Sequence, residues 1–223
     1  MSSYWRHGVT ALAAALLAPI PATAQVTNGS FETPVVPAGS FTLFNSGSSA
    51  ITGWTVVGPQ VAIVSGTFTQ SGITFPAQSG SQWLDLTGLN ANSTEGVQQS
   101  IATLPGSVYN VSFWVGNVVN AAAGFGTSST VNVLANGVSI GSAINASGTA
   151  TTQTWLPFTL QFTASGTTTT LAFMNADPVS DNTNGLDNIS VALAGAPPIP
   201  EPGTMLLLAT GLLTFGGWAR RRL

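Results

Sequence analysis

Apolar and polar residues alternate along much of this chain, which is the pattern of half-buried β-strands. The clearest stretch is residues 108–117, where Tyr109, Val111, Phe113 and Val115 share one face. The opposite face carries polar side chains and Trp114, so we expect one buried and one wetter side. Runs of the same kind are predicted to form strands at residues 53–57, 61–64, 82–87, 97–104, 129–134, 138–144, 154–163 and 169–175.

Turn-forming residues separate these strands. Asn136 and Gly137 stand between two apolar runs, and because both residue types tolerate positive φ they predict a tight hairpin. The segment at 26–32, which ends at Glu32, is predicted to form a further strand. About ten short strands without a stretch of helical period favour two packed sheets. We therefore predict an all-β fold, an antiparallel jelly-roll β-sandwich.

The first 24 residues do not share this alternation. They begin with Arg6 and His7, continue as an apolar run and end with Ala22 and Ala24 just before Gln25. Small residues at those two alanine positions are what signal peptidase accepts. We predict a signal peptide over residues 1–24, cleaved by signal peptidase between Ala24 and Gln25.

The last residues form a second segment of different character. Pro200, Glu201 and Pro202 precede an apolar stretch at 203–219, and the chain then carries Arg220, Arg221 and Arg222. About 17 residues at 1.5 Å each reach about 25 Å, near the lower limit for a transmembrane helix. The arginines would keep that end on the cytoplasmic side of the inner membrane. The predicted units are thus a signal peptide at 1–24, a sandwich at 25–193, a Pro-rich linker at 194–199 and a terminal signal at 200–223.

Charge is distributed very unevenly along the chain. Residues 25–199 contain no Lys, Arg or His, and the whole chain contains no Cys. A body without cations does not bind nucleic acid, which requires Lys and Arg to neutralise phosphates. A Schiff base, a catalytic thiol and a zinc-thiolate site are excluded in the same way. The charged residues of the body are Glu32, Asp85, Glu95, Asp177, Asp181 and Asp187.

The C-terminal segment resembles the PEP-CTERM sorting signal of Gram-negative bacteria. The resemblance lies in the order of its parts, Pro200–Glu201–Pro202, one short apolar helix and a terminal arginine cluster. It implies an exported protein that is held transiently in the inner membrane and cut near the tripeptide by an exosortase. A single-span anchor that is retained for life is the alternative.

The body contains seven short motifs in a fixed order: VTNGSFE at 26–32, ITGWTV at 51–56, GSQWLDLTG at 80–88, VQQSI at 97–101, PGSVYNVSF at 105–113, TWLPF at 154–158 and GLDNISV at 185–191. In this order and spacing they resemble the galactose-binding-like jelly rolls of bacterial choice-of-anchor proteins and of a plant cell-wall family. The resemblance implies a fold related to carbohydrate-binding modules, with polysaccharide as the ligand.

Two carboxylates of these motifs are candidate metal ligands. Glu32 ends the first predicted strand and Asp187 opens the last, and the terminal strands of a jelly roll lie together. The two charges would repel unless a cation bridged them, and calcium takes such oxygen ligands. Related modules commonly carry a structural calcium here, which supports this role; Asp177 and Asp181 could add ligands. The alternative is that both carboxylates accept hydrogen bonds from turn amides without a metal.

Tryptophan and the remaining carboxylates give further expectations. By alternation, Trp83 and Trp114 are predicted to be exposed and are candidate platforms for a sugar ring, whereas Trp54 and Trp155 are expected in the core. We expect Asp85 to accept backbone amides at a strand edge. Glu95 is expected to be solvated.

Three functions fit these patterns. We favour a non-catalytic surface or extracellular-matrix protein that binds, or is embedded in, exopolysaccharide, because an acidic sandwich, candidate sugar platforms and a sorting signal occur together. The second is a glycoside hydrolase or lyase, which requires paired carboxylates across a cleft. The third is an ice-binding protein, which the Thr-rich strands suggest but for which a regular Thr-x-Thr array is missing.

Overall fold

The computed structural model of the chain describes residues 26–89, 94–178 and 181–195. The predicted signal peptide, most of the linker, and the terminal signal with its helix at 203–219 lie outside these residues, as do Ala22, Ala24 and Gln25. Among the residues described, no helix is long and apolar enough to cross a membrane.

Strands dominate the described residues, joined by turns and one 3₁₀ turn at Ala121–Ala123. The strands are β1 (Phe41–Asn45), β2 (Thr55–Val57), β3 (Gln60–Ser65), β4 (Thr69–Gln70), β5 (Ile73–Thr74), β6 (Gln82–Asp85), β7 (Gly96–Ala102), β8 (Val108–Asn117), β9 (Ser129–Ala135), β10 (Val138–Asn145), β11 (Thr154–Thr163), β12 (Thr168–Asn175) and β13 (Gly185–Leu193).

The strands form two large sheets and one small hairpin. The six-stranded sheet has the order β1-β3-β6-β13-β8-β11, and the five-stranded sheet has the order β10-β9-β12-β7-β2. The strands β4 and β5 pair with each other. All pairings between these strands are antiparallel. The predicted antiparallel jelly-roll sandwich is confirmed.

The main core lies between the two large sheets. Tyr109, Val111, Phe113 and Val115 of β8 are all buried there, as their alternation predicts. Across the sandwich, the ring of Phe113 meets Phe173 of β12 edge to face, with centroids 5.3 Å apart. Such buried aromatic pairs contribute both apolar area and a preferred ring geometry, and they fix how the two sheets face each other.

Several predicted elements have the expected bounds. The strands at 108–117 and 154–163 begin and end where predicted. Asn136 and Gly137 turn the chain from β9 into β10 with positive φ at both positions, as the Asn-Gly signal indicates. The prediction was incomplete for β1 and for the β4–β5 hairpin, neither of which it included.

The first motif does not form the expected strand. Residues 26–40 contain no strand, and Asn28 and Phe31 have positive φ, which breaks an extended conformation. The segment nevertheless lies beside the last strand, because the Ile189 amide donates to the Gly29 carbonyl at 2.9 Å. Glu32 therefore reaches the vicinity of Asp187, although it does not end a strand.

A second apolar layer covers the outer face of the six-stranded sheet. It is formed by Ala62 and Val64 of β3, Trp83 of β6 and Ile73 of the β4–β5 hairpin, together with residues of the loop that contains Phe125. The central part of this sheet is thus apolar on both faces. This second layer contains the cavity described next.

Candidate functional site

A cavity of about 180 Å³ opens in the second apolar layer. It is smaller than the roughly 300 to 1,000 Å³ of pockets for drug-sized ligands, so it fits one small ring. Five aromatic residues contribute to its wall: Phe41, Phe68, Phe75, Trp83 and Phe125. Its polar wall residues are Gln70, Asp85, Asn182 and Thr183. We call this cavity the aromatic pocket.

The aromatic walls of the pocket are held by contacts among the rings. Phe75 is central, because its ring centroid lies 5.7 Å from that of Phe68, 6.3 Å from that of Trp83 and 5.4 Å from that of Phe125. Phe68 in turn meets Phe41 edge to face at 5.5 Å. Rings at these separations pack favourably. The contacts join β1, β6, the β4–β5 hairpin and the loop around Phe125 into one wall.

Two glycines make room for the indole that supports this layer. Gly116 and Gly185 lie opposite each other on β8 and β13, and a Cβ on either would come within 2.9 Å of the Trp155 ring. The indole crosses this gap and reaches Trp83 with a centroid distance of 5.9 Å. Its Nε1 donates to the Pro76 carbonyl at 2.9 Å. Trp155 thereby fixes the segment that follows Phe75.

Asp85 is the one acidic residue among those that line the pocket. Its Oδ1 accepts hydrogen bonds from the Thr87 amide at 3.0 Å, the Thr87 hydroxyl at 2.8 Å and the Asn184 amide at 3.1 Å. The expected acceptance of backbone amides is confirmed. Burial raises the pKa of Asp85 to about 6, although these hydrogen bonds oppose the rise. No described residue donates to its second oxygen, Oδ2.

The charge of Asp85 acts on three further carboxylates. Together the four form what we call the acidic group: Asp85, Glu95, Asp177 and Asp181. Burial raises the pKa of Glu95 to about 7, and the charge of Asp85 adds to the rise. Burial likewise raises the pKa of Asp177 to about 8 and that of Asp181 to about 7, with Asp85 again adding to both. Each of these side chains is at most 7% exposed. The solvated position expected for Glu95 is wrong.

Several oxygens of the acidic group have no hydrogen-bond partner among the described residues. They are both carboxylate oxygens of Glu95, Oδ2 of Asp177 and Oδ2 of Asp181. Asp177 does accept from the Thr130 amide through Oδ1, and Asp181 accepts from the Thr183 amide at 3.3 Å. An unpartnered ionised carboxylate is costly to bury, so these groups favour the protonated form.

Glu32 and Asp187 form a separate pair, because both accept hydrogen bonds from the backbone amides of one turn, at residues 78–82. Asp187 Oδ2 accepts from the amides of Gln78 and Ser79 at 3.0 and 2.9 Å, and Glu32 Oε1 accepts from those of Ser81 and Gln82 at 2.9 and 3.1 Å. Burial raises the pKa of Asp187 to about 7, amides oppose the rise and the Glu32 charge adds to it. The expectation that these two carboxylates lie together is confirmed.

The turn between these carboxylates requires a glycine. Gly80 has a φ of +72°, and a Cβ there would lie 2.3 Å from Glu32 Oε1. Asp177 and Asp181 do not join this pair; the carboxylate charges that act on them come from the acidic group. The structure therefore does not bring them to the Glu32–Asp187 pair. Among the described residues, no three Asp, Glu, His or Cys side chains are placed to hold a metal ion.

The two candidate sugar platforms have different surroundings. Trp83 is 1% exposed, so the expectation of an exposed indole is wrong. Alternation assigned it correctly to the face opposite Leu84, but the β4–β5 hairpin and the Phe125 loop cover that face. Trp114 lies on the outer face as predicted, opposite Pro157 and Asp187, and is half-buried. Trp54 lies in the main core as expected, and Trp155 packs on the second layer.

Sequence reasoning missed three aromatic residues of the pocket, namely Phe41, Phe68 and Phe75. They come from loops and very short strands that lack a clear period. Phe68 and Phe75 share one signal, because both are isolated phenylalanines among small and polar residues at 66–77. A single Phe in such a loop needs apolar cover from elsewhere in the fold, which is what the outer face of the sheet provides.

The family comparison covers most of the chain. Residues 24–192 match the model of a family described as "Protein of unknown function (DUF642)". The chain belongs to the DUF642 family. This membership confirms the resemblance of the body to a plant cell-wall family of galactose-binding-like jelly rolls. A comparison with curated proteins gives no significant match.

A second match concerns the C-terminal segment of this DUF642 chain. Residues 198–222 match the model of the PEP-CTERM protein-sorting motif. The sorting signal predicted from Pro200, Glu201 and Pro202 is thereby confirmed. The motif indicates a protein that is exported and sorted to the cell surface.

Solved structures resemble the DUF642 body at low identity. The EclA C-terminal domain, a sugar-binding protein, is 15% identical, with 42% of this chain and 64% of that chain covered and a TM-score of 0.34. The CBM22-1 xylan-binding domain of Paenibacillus barcinonensis Xyn10C is 18% identical, with 73% and 99% covered and a TM-score of 0.42. An arabinose-bound α-L-arabinofuranosidase of family GH51 is 14% identical, with 77% and 26% covered and a TM-score of 0.49. At TM-scores below 0.5, these likenesses do not extend to function.

The acidic group predicts how stability depends on pH. Because its pKa values are raised in the folded chain, the native state binds more protons than the unfolded state between about pH 4 and pH 8, and the free energy of unfolding falls as pH rises. We expect a lower melting temperature at about pH 8 than at about pH 5 in the presence of a chelator.

The variant Asp177→Asn tests the source of this dependence. It keeps an acceptor for the Thr130 amide and removes one buried charge, so it should raise the free energy of unfolding at about pH 8 by on the order of 1 to 3 kcal/mol and flatten the pH profile. Urea unfolding at both pH values measures this. A parent chain that is equally stable at both pH values, or a variant less stable at about pH 8, would contradict the prediction.

Proposed function

We propose that this DUF642 chain is an exported, non-catalytic protein of the cell surface or extracellular matrix that binds one sugar unit of an exopolysaccharide in the aromatic pocket. The observation that supports it most strongly is the pocket itself, in which five aromatic residues and four polar residues line a cavity of about 180 Å³. Aromatic rings pack on the apolar faces of a sugar, and polar side chains meet its hydroxyl groups.

The size of the pocket favours one end of a chain. A cavity of this volume cannot enclose several sugar units, and a chain that crosses it would leave its other units outside. We therefore expect a terminal or side-branch sugar to enter, with Asn182 at the exposed rim and Asp85 at the buried end.

The charge of the pocket supports binding without turnover. Glycoside hydrolysis uses two carboxyl groups on either side of the scissile bond. Asp85 is the single acidic residue of the pocket lining, whereas Glu95, Asp177 and Asp181 are buried and do not line it. The hydrolase alternative lacks a second carboxylate in the place where a sugar would lie.

Binding can be measured with purified full chain and the polysaccharide of the producing cell by calorimetry. Phe68→Ala removes a half-buried ring from the pocket wall and should weaken binding by about 1 to 3 kcal/mol, the range for stacking on one aromatic ring. Trp114→Ala is the matched control, because Trp114 is an aromatic residue of the same sheet face that does not line the pocket. If Trp114→Ala lost binding and Phe68→Ala did not, the sugar site would lie at Trp114 and not in the aromatic pocket. Hydrolysis of the ligand by the parent chain would contradict a non-catalytic role.

Sorting through the PEP-CTERM motif is proposed to require an exosortase. Glu201→Ala removes the one charged residue of the tripeptide and leaves the apolar stretch, which still stops translocation. We expect uncut protein to accumulate in the inner membrane, as measured by fractionation and blotting. Release of the variant at the rate of the parent would contradict exosortase processing.

A structural calcium bridging Glu32 and Asp187 is the remaining proposal. These residues fit it in part: the two carboxylates share one turn, and each keeps lone pairs beyond its amide hydrogen bonds. Two carboxylates fall short of the six to eight oxygens that calcium takes, so backbone carbonyls must contribute.

Calcium that binds only the native state should stabilise it by about 2.7 kcal/mol at a hundredfold excess over Kd. We expect calcium to raise the melting temperature of the parent and of Asp181→Asn, but not that of Asp187→Asn. A melting temperature that does not respond to calcium or to a chelator would remove the metal and leave amide hydrogen bonds alone.

A further inference from the structure

The aromatic pocket contains one carboxylate, Asp85, and belongs to a domain that contains no positive side chain. Residues 25–199 include six carboxylates and no Lys, Arg or His. Four of the six belong to the acidic group, and one of these, Asp85, reaches the pocket. A cavity with low-dielectric walls concentrates such a field, so the sign of the local charge strongly biases which ligands enter.

Asp85 has one oxygen to offer to a ligand. Its Oδ1 already accepts three hydrogen bonds, from the amide and hydroxyl of Thr87 and the amide of Asn184. These bonds fix the orientation of the carboxyl group without adding a positive charge. The residue lines the pocket, and its Oδ2 has no donor among the described residues. The pocket thus presents an oriented acceptor that lacks a partner.

We infer that the pocket selects a cationic amino sugar, a hexosamine unit whose amino group is free, as found in a partly de-N-acetylated polysaccharide. The inference rests on the proposed function and names its ligand class. The ammonium group would donate to Asp85 Oδ2 while the sugar ring packs on the aromatic wall.

Three physical effects favour this ligand over neutral or acidic sugars. A charge-assisted hydrogen bond between an ammonium and a carboxylate is about twice as strong as a neutral one. Aromatic rings add a cation-π attraction wherever the ammonium meets a ring face. The domain has no positive side chain that would attract a uronic acid, and the charge of Asp85 in the pocket wall repels one.

The ionisation of Asp85 is compatible with this ligand. Burial raises the pKa of Asp85 to about 6, so the carboxyl group is mostly ionised near neutral pH. An entering cation favours the ionised form further, because an opposite charge nearby lowers the pKa of a carboxyl group.

The test compares three oligosaccharides of equal length at about pH 7 by calorimetry with purified full chain: β-1,4-linked glucosamine, its N-acetylated form and galacturonic acid. We expect glucosamine to bind at least about tenfold more tightly than the N-acetylated form, the factor that corresponds to about 1.4 kcal/mol. Galacturonic acid should not bind, and the preference should shrink at high salt because the added ions screen the charges.

The variant Asp85→Asn tests whether Asp85 Oδ2 causes the preference for glucosamine. Asparagine keeps an oxygen for Thr87 and Asn184 and replaces the free oxygen with an amide nitrogen, so the preference for glucosamine should disappear. The N-acetylated oligosaccharide is the matched control, since its binding shows that the pocket of the variant is intact. If the variant does not fold, the comparison of ligands and salt on the parent chain still decides.

Failure of this inference can be distinguished from failure of the proposed function. Equal affinity for glucosamine and N-acetylglucosamine, or tighter binding of galacturonic acid, overturns the selection for a cation and leaves a sugar site in place. Unchanged preference in a folded Asp85→Asn chain overturns the role of Asp85. No binding of any oligosaccharide, including those from the producer's own polysaccharide, overturns sugar binding and the inference with it.

Discussion

Hydrogen bonds from backbone amides to carboxylates take the place of salt bridges in this domain, because residues 25–199 contain no positively charged side chain. Glu32 and Asp187 accept four amides from the turn at 78–82, and this joins the first segment of the domain to its last strand. Asp85 accepts the amide of Asn184 and so ties β6 to the residue just before β13. Asp85 and Asp187 are buried, and an unsatisfied buried acceptor costs about 1 to 3 kcal/mol. The order of the loops around the sheet edge depends on these contacts.

Backbone amides do not satisfy every carboxylate oxygen of the domain. Glu95, Asp177 and Asp181 retain buried oxygens without a partner among the described residues, and burial raises their pKa values. Asp85, which interacts electrostatically with all three, lines a cavity whose walls are largely aromatic. The cavity exists because the six-stranded sheet is apolar on both faces, while the β4–β5 hairpin and the Phe125 loop cover its outer face incompletely. Fold stability and ligand choice are thus linked at Asp85, which both orders the end of β6 and gives the pocket its charge.

Whether a strand could be predicted from the sequence depended on how many of its faces the rest of the protein covers. Alternation placed β8 and β11 correctly because one face is buried and the other is wetter. In β1, Phe41 and Leu43 pack on the second layer and Phe44 enters the main core, so no alternation remains and the strand was not predicted. For Trp83, alternation predicted the face of the sheet on which the side chain lies. It did not predict that the β4–β5 hairpin and the Phe125 loop cover that face. The pocket could not be predicted for the same reason, since its rings come from short segments that only the tertiary fold brings together. The pairing of Glu32 with Asp187 was predicted because the two ends of a jelly roll lie together. It is found although Glu32 does not end a strand, since the first segment still pairs with the last strand between Gly29 and Ile189.

The central claim is that the ligand enters the second apolar layer beside Trp83. Indole N–H resonances in a ¹H–¹⁵N spectrum test it directly, because the Trp83 Nε1 donates to the Phe75 carbonyl within the pocket wall, whereas the Trp54 Nε1 donates to Asn28 far from it. On addition of a glucosamine oligosaccharide to purified full chain, the account predicts a saturable shift of the Trp83 resonance and an unchanged Trp54 resonance. A saturable shift of Trp114 with Trp83 unchanged, or no shift of any indole resonance, would contradict it.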